Sequence, residues 1–377
     1  MKITFLMPGY NWDPSGGFRV VYEYANRLVN RGHEVAIVQP LRLKYAPHTD
    51  WSTRDWLRSK AWELASLVYK PKVDWQTVDK RVELLYVRDS ESRHIPDADA
   101  IFATGWATVR SVLELPQTKG KKCYMIQGYE SYHAQKDLVD ATWRAPLHKV
   151  VIAKWLVDVG KELGCSDVHY IPNAIDQGRY RLDRPIEGRP RQVSMVFSTV
   201  PVKGSVDGIE ALGIVHEKYP DVKVVLFGLS PAQSWIPKWA EYHRNPPQDF
   251  IVEEIYNKSQ IFVGSSWVEG FSLPPAEAAA CGCAVVTTDS LGIREFIEQG
   301  VTGLVSPPKD PEALAKNISL LLDNEPLRVR LAKACHRVIS QMNWERSVDQ
   351  LVDFLQVVVQ GKKSDFERII SSVEQES

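Results

Sequence analysis

Short runs of Val, Ile and Phe alternate along this chain with longer stretches in which apolar residues recur at helical spacing. That alternation predicts parallel sheets covered by helices, and it occurs in two series. In the first, strands are predicted at Lys2 to Met7, Glu34 to Val38, Val82 to Val87, Ala100 to Ala103, Cys123 to Ile126 and Val150 to Ala153. The second series is Val193 to Phe197, Lys223 to Phe227, Ile261 to Val263, Ala284 to Thr287 and Gly303 to Val305. Between them, Ile171 to Gln192 is rich in Pro, Arg and Asp, has no periodicity, and reads as a crossing between domains.

Val21, Tyr24, Ala25, Leu28 and Val29 share one helical face, and Gly32 stands at the C′ stop, so the first helix is predicted to start beside Gly16 and Gly17. In the second half, Pro311 to Leu322, Leu327 to Ser340 and Arg346 to Val359 read as three further helices. The charged tail after Gly361 is expected to fray. No solenoid repeat, heptad array or low-complexity tract interrupts this pattern.

The chain's 377 residues suit two domains, each large enough for its own core. With 46 Lys+Arg against 47 Asp+Glu, the formal charge is −1, and neither sign forms a long block, which argues against a general nucleic-acid coat. Five scattered cysteines, an odd number, suggest no disulfide framework and fit a reducing cytoplasm. The opening Met1 to Met7 stretch is too short for a signal peptide, and no segment reaches the roughly 18 apolar residues of a spanning helix, so any membrane contact is expected to be peripheral. One segment stands out: Trp51, Trp56, Trp62 and Trp75 lie among Arg54, Arg58, Lys60, Lys70 and Lys72, with Leu57, Ala61, Leu64 and Val68 along a helical stripe. It suits an amphipathic helix packed on a sheet, and also an aromatic, basic face at a membrane interface or on an acceptor.

The richest stretch for chemistry runs from Val268 to Val286, V-E-G-F-S-L-P-P-A-E-A-A-A-C-G-C-A-V-V. A strand ending near Val263 feeds a loop that holds Glu269 and Gly270. Pro274 or Pro275 then suits a first helical turn, where a missing N–H costs little, so Glu277 falls near the start of a helix. Both carboxylates are expected at the carboxyl ends of the strands, where open parallel sheets bind ligands. The amides of Phe271, Ser272 and Leu273 would point to the same place and form a helix N-terminus able to hold a phosphate without a metal. A glutamate in a first helical turn is also favoured by the helix dipole alone.

Taken as a constellation, this run resembles the E-x7-E signature of retaining glycosyltransferases of family 4. The resemblance extends along the chain. P-G-Y-N-W-D-P-S-G-G-F-R-V, with Gly16 and Gly17, is similar to the family's first loop, and I-P-N-A-I-D (Ile171 to Asp176) to its interdomain segment. V-P-V-K-G (Val200 to Gly204) resembles the loop whose lysine binds diphosphate, and Leu291 to Val305 the last strand-helix-turn. Three positions depart: Ser198 stands where an arginine is usual, and Ser272 and Ala174 where glycines are.

The resemblance implies a GT-B fold: α/β, two Rossmann-like parallel-sheet domains facing a central cleft. It implies an acceptor-side domain over 1–172, a nucleotide-sugar-binding domain over 173–345, and a helix and tail over 346–377 crossing back toward the first domain. The implied activity is metal-independent, retaining transfer of a hexose or deoxyhexose from a nucleotide sugar to a saccharide or lipid-linked saccharide. No metal or other cofactor is expected, since the nucleotide sugar is a substrate. Lys203 would then stabilise the departing diphosphate and Glu269 the donor sugar and its oxocarbenium character, as the catalytic pair. Gly16, Gly17, Gly270, Phe271, Ser272, Leu273 and Glu277 would bind the donor, with Glu277 on the ribose hydroxyls. Gln127, Tyr129, Glu130 and His133 of Q-G-Y-E-S-Y-H are candidates for acceptor contact, against a solvated loop.

Asp97 and Asp99 form the D-x-D that holds a metal in a different glycosyltransferase fold, and here read as a polar turn. Cys281 and Cys283 lack companions at zinc spacing and are expected to pack as small apolar residues. Absent phosphate-loop and dinucleotide fingerprints argue against NTP hydrolysis and dinucleotide binding. Two other functions fit the same fold: a non-catalytic protein that binds a nucleotide sugar or glycan, and a sugar-nucleotide epimerase.

Overall fold

A computed structural model describes residues 1–44, 73–132 and 134–361. Most of the tryptophan-rich segment and His133 lie outside the described residues. The chain divides into two compact units. The first comprises Met1–Ile152, Leu156–Pro172 and the segment from Glu345 onward, and the second Ala153–Trp155 and Asn173–Trp344.

The first unit is built on a seven-stranded parallel sheet of order β3-β2-β1-β4-β5-β6-β7. Its strands are β1 (Lys2–Leu6), β2 (Glu34–Arg42), β3 (Glu83–Asp89), β4 (Ala100–Ala103), β5 (Lys121–Ile126), β6 (His148–Val151) and β7 (Val168–Tyr170). Central strands of such a sheet are covered on both faces, which is why they read as unbroken apolar runs. Phe5 of β1 is in register with Ile37 on one side and Phe102 on the other, and all three are fully buried. The Phe5 and Phe102 rings stack at 5.1 Å. Burying each such side chain contributes roughly 1.5–3 kcal/mol.

The Gly16–Asn30 helix buries Val20, Val21, Tyr24, Ala25 and Leu28, and Gly32 at φ +81° ends it in the left-handed conformation that glycine adopts without strain. The Trp344–Gln360 helix buries Val348, Leu351, Phe354 and Leu355. Its start is tied to the first helix by Arg31, which bonds Glu345 and Asp349 at 2.7 Å each.

The second unit carries a six-stranded parallel sheet of order β10-β9-β8-β11-β12-β13. Its strands are β8 (Gln192–Val196), β9 (Lys223–Gly228), β10 (Ala240–Arg244), β11 (Ile261–Gly264), β12 (Ala284–Thr288) and β13 (Leu304–Ser306). Val193, Met195, Leu226, Val263 and Val286 join Leu212, Val215, Leu314, Ile318 and Leu331 from the flanking helices in one core cluster. The helices observed at Pro311–Asp323 and Glu325–Ser340 start one residue after Asp310 and Asn324, whose side chains accept the N–H groups of Ala313 and Leu327.

All eleven expected strands are present, β4 with the expected bounds and the others with an end shifted by one to a few residues. Two more, β7 and β10, lie at the outer edges of their sheets. An edge strand is half exposed, and the sequences V-H-Y and A-E-Y-H-R carry no apolar run to betray it.

Candidate active site

In the second sheet the strand order runs outward from β8 through β9 to β10, then restarts at β11 and runs the other way. The loops after β8 and β11 therefore leave the sheet in opposite directions. This opens the crevice at strand carboxyl ends where doubly wound folds take ligands. Lys203 sits in the first of these loops and Glu269 in the second.

The loop after β8 tightens into a single 3-10 turn, Pro201–Lys203, and Gly204 at φ +60° passes the chain into the Ser205–Lys218 helix. A Cβ on Gly204 would lie 2.0 Å from the carbonyl oxygen of Ser265, so only glycine fits. The Trp267 amide donates to Val202 O at 2.8 Å, and Ser265 Oγ donates to Lys203 O at 3.0 Å. Trp267 Nε1 also bonds Asp207 Oδ2 at 2.6 Å, with Lys309 Nζ 4.1 Å from the indole centroid. Thus stitched, the two loops bring Lys203 Nζ to 2.8 Å from Glu269 Oε1, which also accepts from Ser266 Oγ at 2.8 Å. Where the resemblance puts an arginine, Ser198 donates its amide to Ser205 Oγ at 2.9 Å.

Past Glu269 the chain enters the Leu273–Ala280 helix through Ser272 at φ 75°, ψ 65°. A side chain in the left-handed region costs about 1–2 kcal/mol, which explains why glycine is the usual residue there. Ser272 is buried and its hydroxyl lies 3.2 Å from that of Ser290. The amides of Gly270, Phe271, Ser272 and Leu273 donate to no acceptor among the described residues, and the next two residues are prolines without an N–H. Such a helix start suits an anion. Phe271 is buried against Phe296, with centroids 5.6 Å apart, and Gly270 O accepts from Trp155 Nε1 at 2.9 Å.

Glu277 lies in the second turn of that helix, not the first, and is 6% exposed. Tyr256 donates its hydroxyl to Glu277 Oε2 at 3.2 Å. A cap would sit at the helix start and accept backbone N–H groups, whereas this carboxylate is inside, bonded to a phenol. Neither Tyr256 nor Ser266 is marked by the sequence: I-V-E-E-I-Y reads as core, and one serine among many carries no signal.

In the first unit the order reverses between β1 and β4, and Gly16 and Gly17 open the helix that follows β1. Neither has positive φ. A Cβ on Gly17 would meet Gln127 Nε2 at an ordinary 3.5 Å, and that nitrogen donates to Gly17 O at 3.1 Å. Tyr129 donates to Asp140 Oδ1 at 2.6 Å, beside the 2.7 Å Lys136–Asp140 pair. Glu130 accepts the Trp106 amide at 2.9 Å and so caps the Trp106–Leu113 helix; burial raises its carboxyl pKa, with the amide pulling the other way. Asp97 pairs with Lys119 at 2.8 Å and Asp99 accepts the Lys2 amide at 2.7 Å, so both fix turns. Cys281 and Cys283 are both buried, with Cys283 Sγ donating to Tyr256 O at 3.1 Å and Cys281 O accepting from Arg189 Nη2 at 2.7 Å, and burial pushes the Cys283 thiol up to about 12. No helix among the described residues is long and apolar enough to cross a membrane.

Residues 176–337 match the family model described as glycosyl transferases group 1. This stretch holds Lys203, Glu269 and Glu277. A glycogen synthase of Mycobacterium tuberculosis is 28% identical over 193 residues, 48% of this chain and 46% of the relative. A phosphatidyl-myo-inositol mannosyltransferase of the same organism is 25% identical over 233 residues, 56% of this chain and 61% of the relative. The chain thus spans about half the length of the curated relatives it matches. Among solved structures, the sucrose-phosphate synthase of Thermosynechococcus elongatus superposes with a TM-score of 0.70 at 16% identity, covering 96% of this chain and 100% of the other. HepE of Anabaena, solved in complex with UDP-glucose, gives 0.68 at 16% identity, covering 94% and 99%. Two parallel Rossmann-like sheets and these likenesses establish the GT-B fold, with the group 1 glycosyl transferase match over its second unit.

Proposed function

We propose that the protein is a metal-independent, retaining glycosyltransferase that moves a hexose or deoxyhexose from a nucleotide sugar to a saccharide or lipid-linked saccharide acceptor. The observation that carries this reading is the meeting of Lys203 and Glu269 at 2.8 Å where the strand order of the second sheet reverses, one loop before a helix start with open amides. The group 1 glycosyl transferase match over the same residues and the UDP-glucose named for HepE support it.

In this reading the diphosphate lies on the amides of Gly270 to Leu273 and on Lys203, which needs no arginine at Ser198. The bond between the anomeric carbon and the diphosphate oxygen breaks, its electron pair leaving with the phosphate. Fixed donors aimed at that growing negative charge are the usual source of the largest catalytic effect. Glu269 lies against the sugar hydroxyls and stabilises positive charge at the anomeric centre. The acceptor oxygen bonds to that carbon on the face the phosphate leaves, and its proton passes to a departing phosphate oxygen. Glu277 holds the ribose hydroxyls, and Gly16 and Gly17 are proposed donor contacts through their backbone. Gln127 and Tyr129 are proposed acceptor contacts.

Incubation with labelled UDP-, GDP- and ADP-sugars and a panel of saccharide and lipid-linked acceptors tests the proposal, with proton NMR of the product's anomeric configuration. An α-linked product from an α-linked donor is expected. Binding without turnover would favour the non-catalytic reading, and conversion of the donor sugar without acceptor would favour an epimerase.

A further inference from the structure

Tyr256 ends a π-helical turn over Ile251–Tyr256, a geometry in which one extra residue per turn re-aims the side chains that follow and which recurs at functional sites. Its side chain is fully buried, with the ring edge-on to Phe227 and Phe262, both at 5.7 Å. Phenylalanine would fill that space without bringing a polar group inside, and a buried hydroxyl is costly unless it is bonded. The hydroxyl is bonded to Glu277 Oε2.

One cation holds the backbone of both partners. Arg189, 6% exposed, donates from Nη1 to Tyr256 O at 3.2 Å and from Nη2 to Cys281 O at 2.7 Å, one helical turn beyond Glu277. Cys283 Sγ donates to the same Tyr256 carbonyl at 3.1 Å. The last torsion of a glutamate is broad, so backbone placement alone does not fix the plane of its carboxylate. A donor on one oxygen does.

We infer that Tyr256 is a positioning residue, whose hydroxyl sets the plane of the Glu277 carboxylate for the ribose hydroxyls of a nucleoside diphosphate. The inference rests on the donor-site reading above. It separates two properties that are otherwise entangled: grip on the diphosphate, which belongs to the loop and Lys203, and discrimination of the ribose, which belongs to Glu277 as aimed by Tyr256.

The test measures Kd by calorimetry for whichever of UDP, GDP or ADP raises the Tm of the intact chain most, and for its 2′,3′-dideoxy analogue. In the parent the analogue should bind roughly tenfold or more weakly, the worth of hydrogen bonds to a charged group. In Tyr256→Phe that ratio should fall below about threefold, while the analogue's own affinity stays within about twofold, a pattern that general loosening would not give. Adding Tyr256→Phe to Glu277→Gln should change the ratio no further, since coupled residues are non-additive. Tyr256→Met serves as a second hydroxyl-free variant. An unchanged ratio in Tyr256→Phe overturns the inference, as does failure of both variants to fold, which would make Tyr256 a core residue only. If the parent binds none of the three diphosphates, the donor-site reading fails and this inference with it.

Discussion

The ammonium of Lys203 and the carboxylate of Glu269, 66 positions apart in sequence, lie 2.8 Å from one another across the two loops that flank the strand reversal of the second sheet. Lys203 keeps 41% of its side chain exposed and Glu269 19%. With its ammonium end exposed, the pair contributes little to folding, about 1 kcal/mol, even though the carboxylate is half-buried. Its partners therefore remain available to a ligand.

Lys203→Ala is expected to leave Tm within about 3 °C of the parent, because so exposed a pair adds little stability. It should weaken nucleoside diphosphate binding roughly 10- to 100-fold, the loss of one charged hydrogen bond. Thermal denaturation and calorimetric titration of the same preparation check both. Loss of fold would show that Lys203 is structural instead.

Gly204→Ala should be among the most damaging substitutions in the second unit. The added Cβ meets a backbone oxygen at 2.0 Å, where no flexible side chain can move aside, and the residue sits at φ +60°. Left-handed strain and overpacking together predict a loss of about 3 kcal/mol or more by urea denaturation.

At Ser272 the sign reverses. Glycine relieves about 1–2 kcal/mol of left-handed strain and gives up a contact with Ser290 worth about 0.5–1.5 kcal/mol. Ser272→Gly is expected to change stability by between about −0.5 and +1.5 kcal/mol, centred on a small gain, while Ser272→Val loses the contact and deepens the strain. The denaturant midpoint of Ser272→Val should lie below both the parent's and that of Ser272→Gly.

Glu130 gives a pH dependence. Burial raises its carboxyl above the ordinary glutamate value, so the folded state holds this proton more tightly than the unfolded chain does. Its contribution is therefore full below the unfolded value and is lost as pH rises through the raised folded value. Glu130→Gln keeps an acceptor for the Trp106 amide and removes the titration. The stability of the variant relative to the parent should increase between about pH 4 and pH 7, read by urea denaturation at each pH. A relative stability that falls over that interval would contradict the assignment.

Much of this architecture is legible in the residues. Strands β1, β4, β8, β11 and β12 are covered on both faces, so burial demands runs such as I-F-V and A-V-V that any periodicity scan finds. Gly32, at φ +81°, marks the stop of the first helix in the same way. What stays hidden is what arises from pairing distant segments. Tyr256 looks like one more core aromatic until the π-turn aims it at Glu277, and nothing in Q-G-Y-E shows that Glu130 accepts the Trp106 amide. Edge strands β7 and β10 are invisible for the opposite reason, since exposure frees them from an apolar pattern.

On the proposed function, the β8 and β11 loops, with Lys203 and Glu277, hold a nucleoside diphosphate. Calorimetric titration of the intact chain with UDP, GDP and ADP tests it most directly. Saturable one-to-one binding of at least one of them, weakened at least about tenfold in both Lys203→Ala and Glu277→Ala, is the predicted result. Equal affinity in the parent and in both folded variants, or no heat with any of the three, would contradict it.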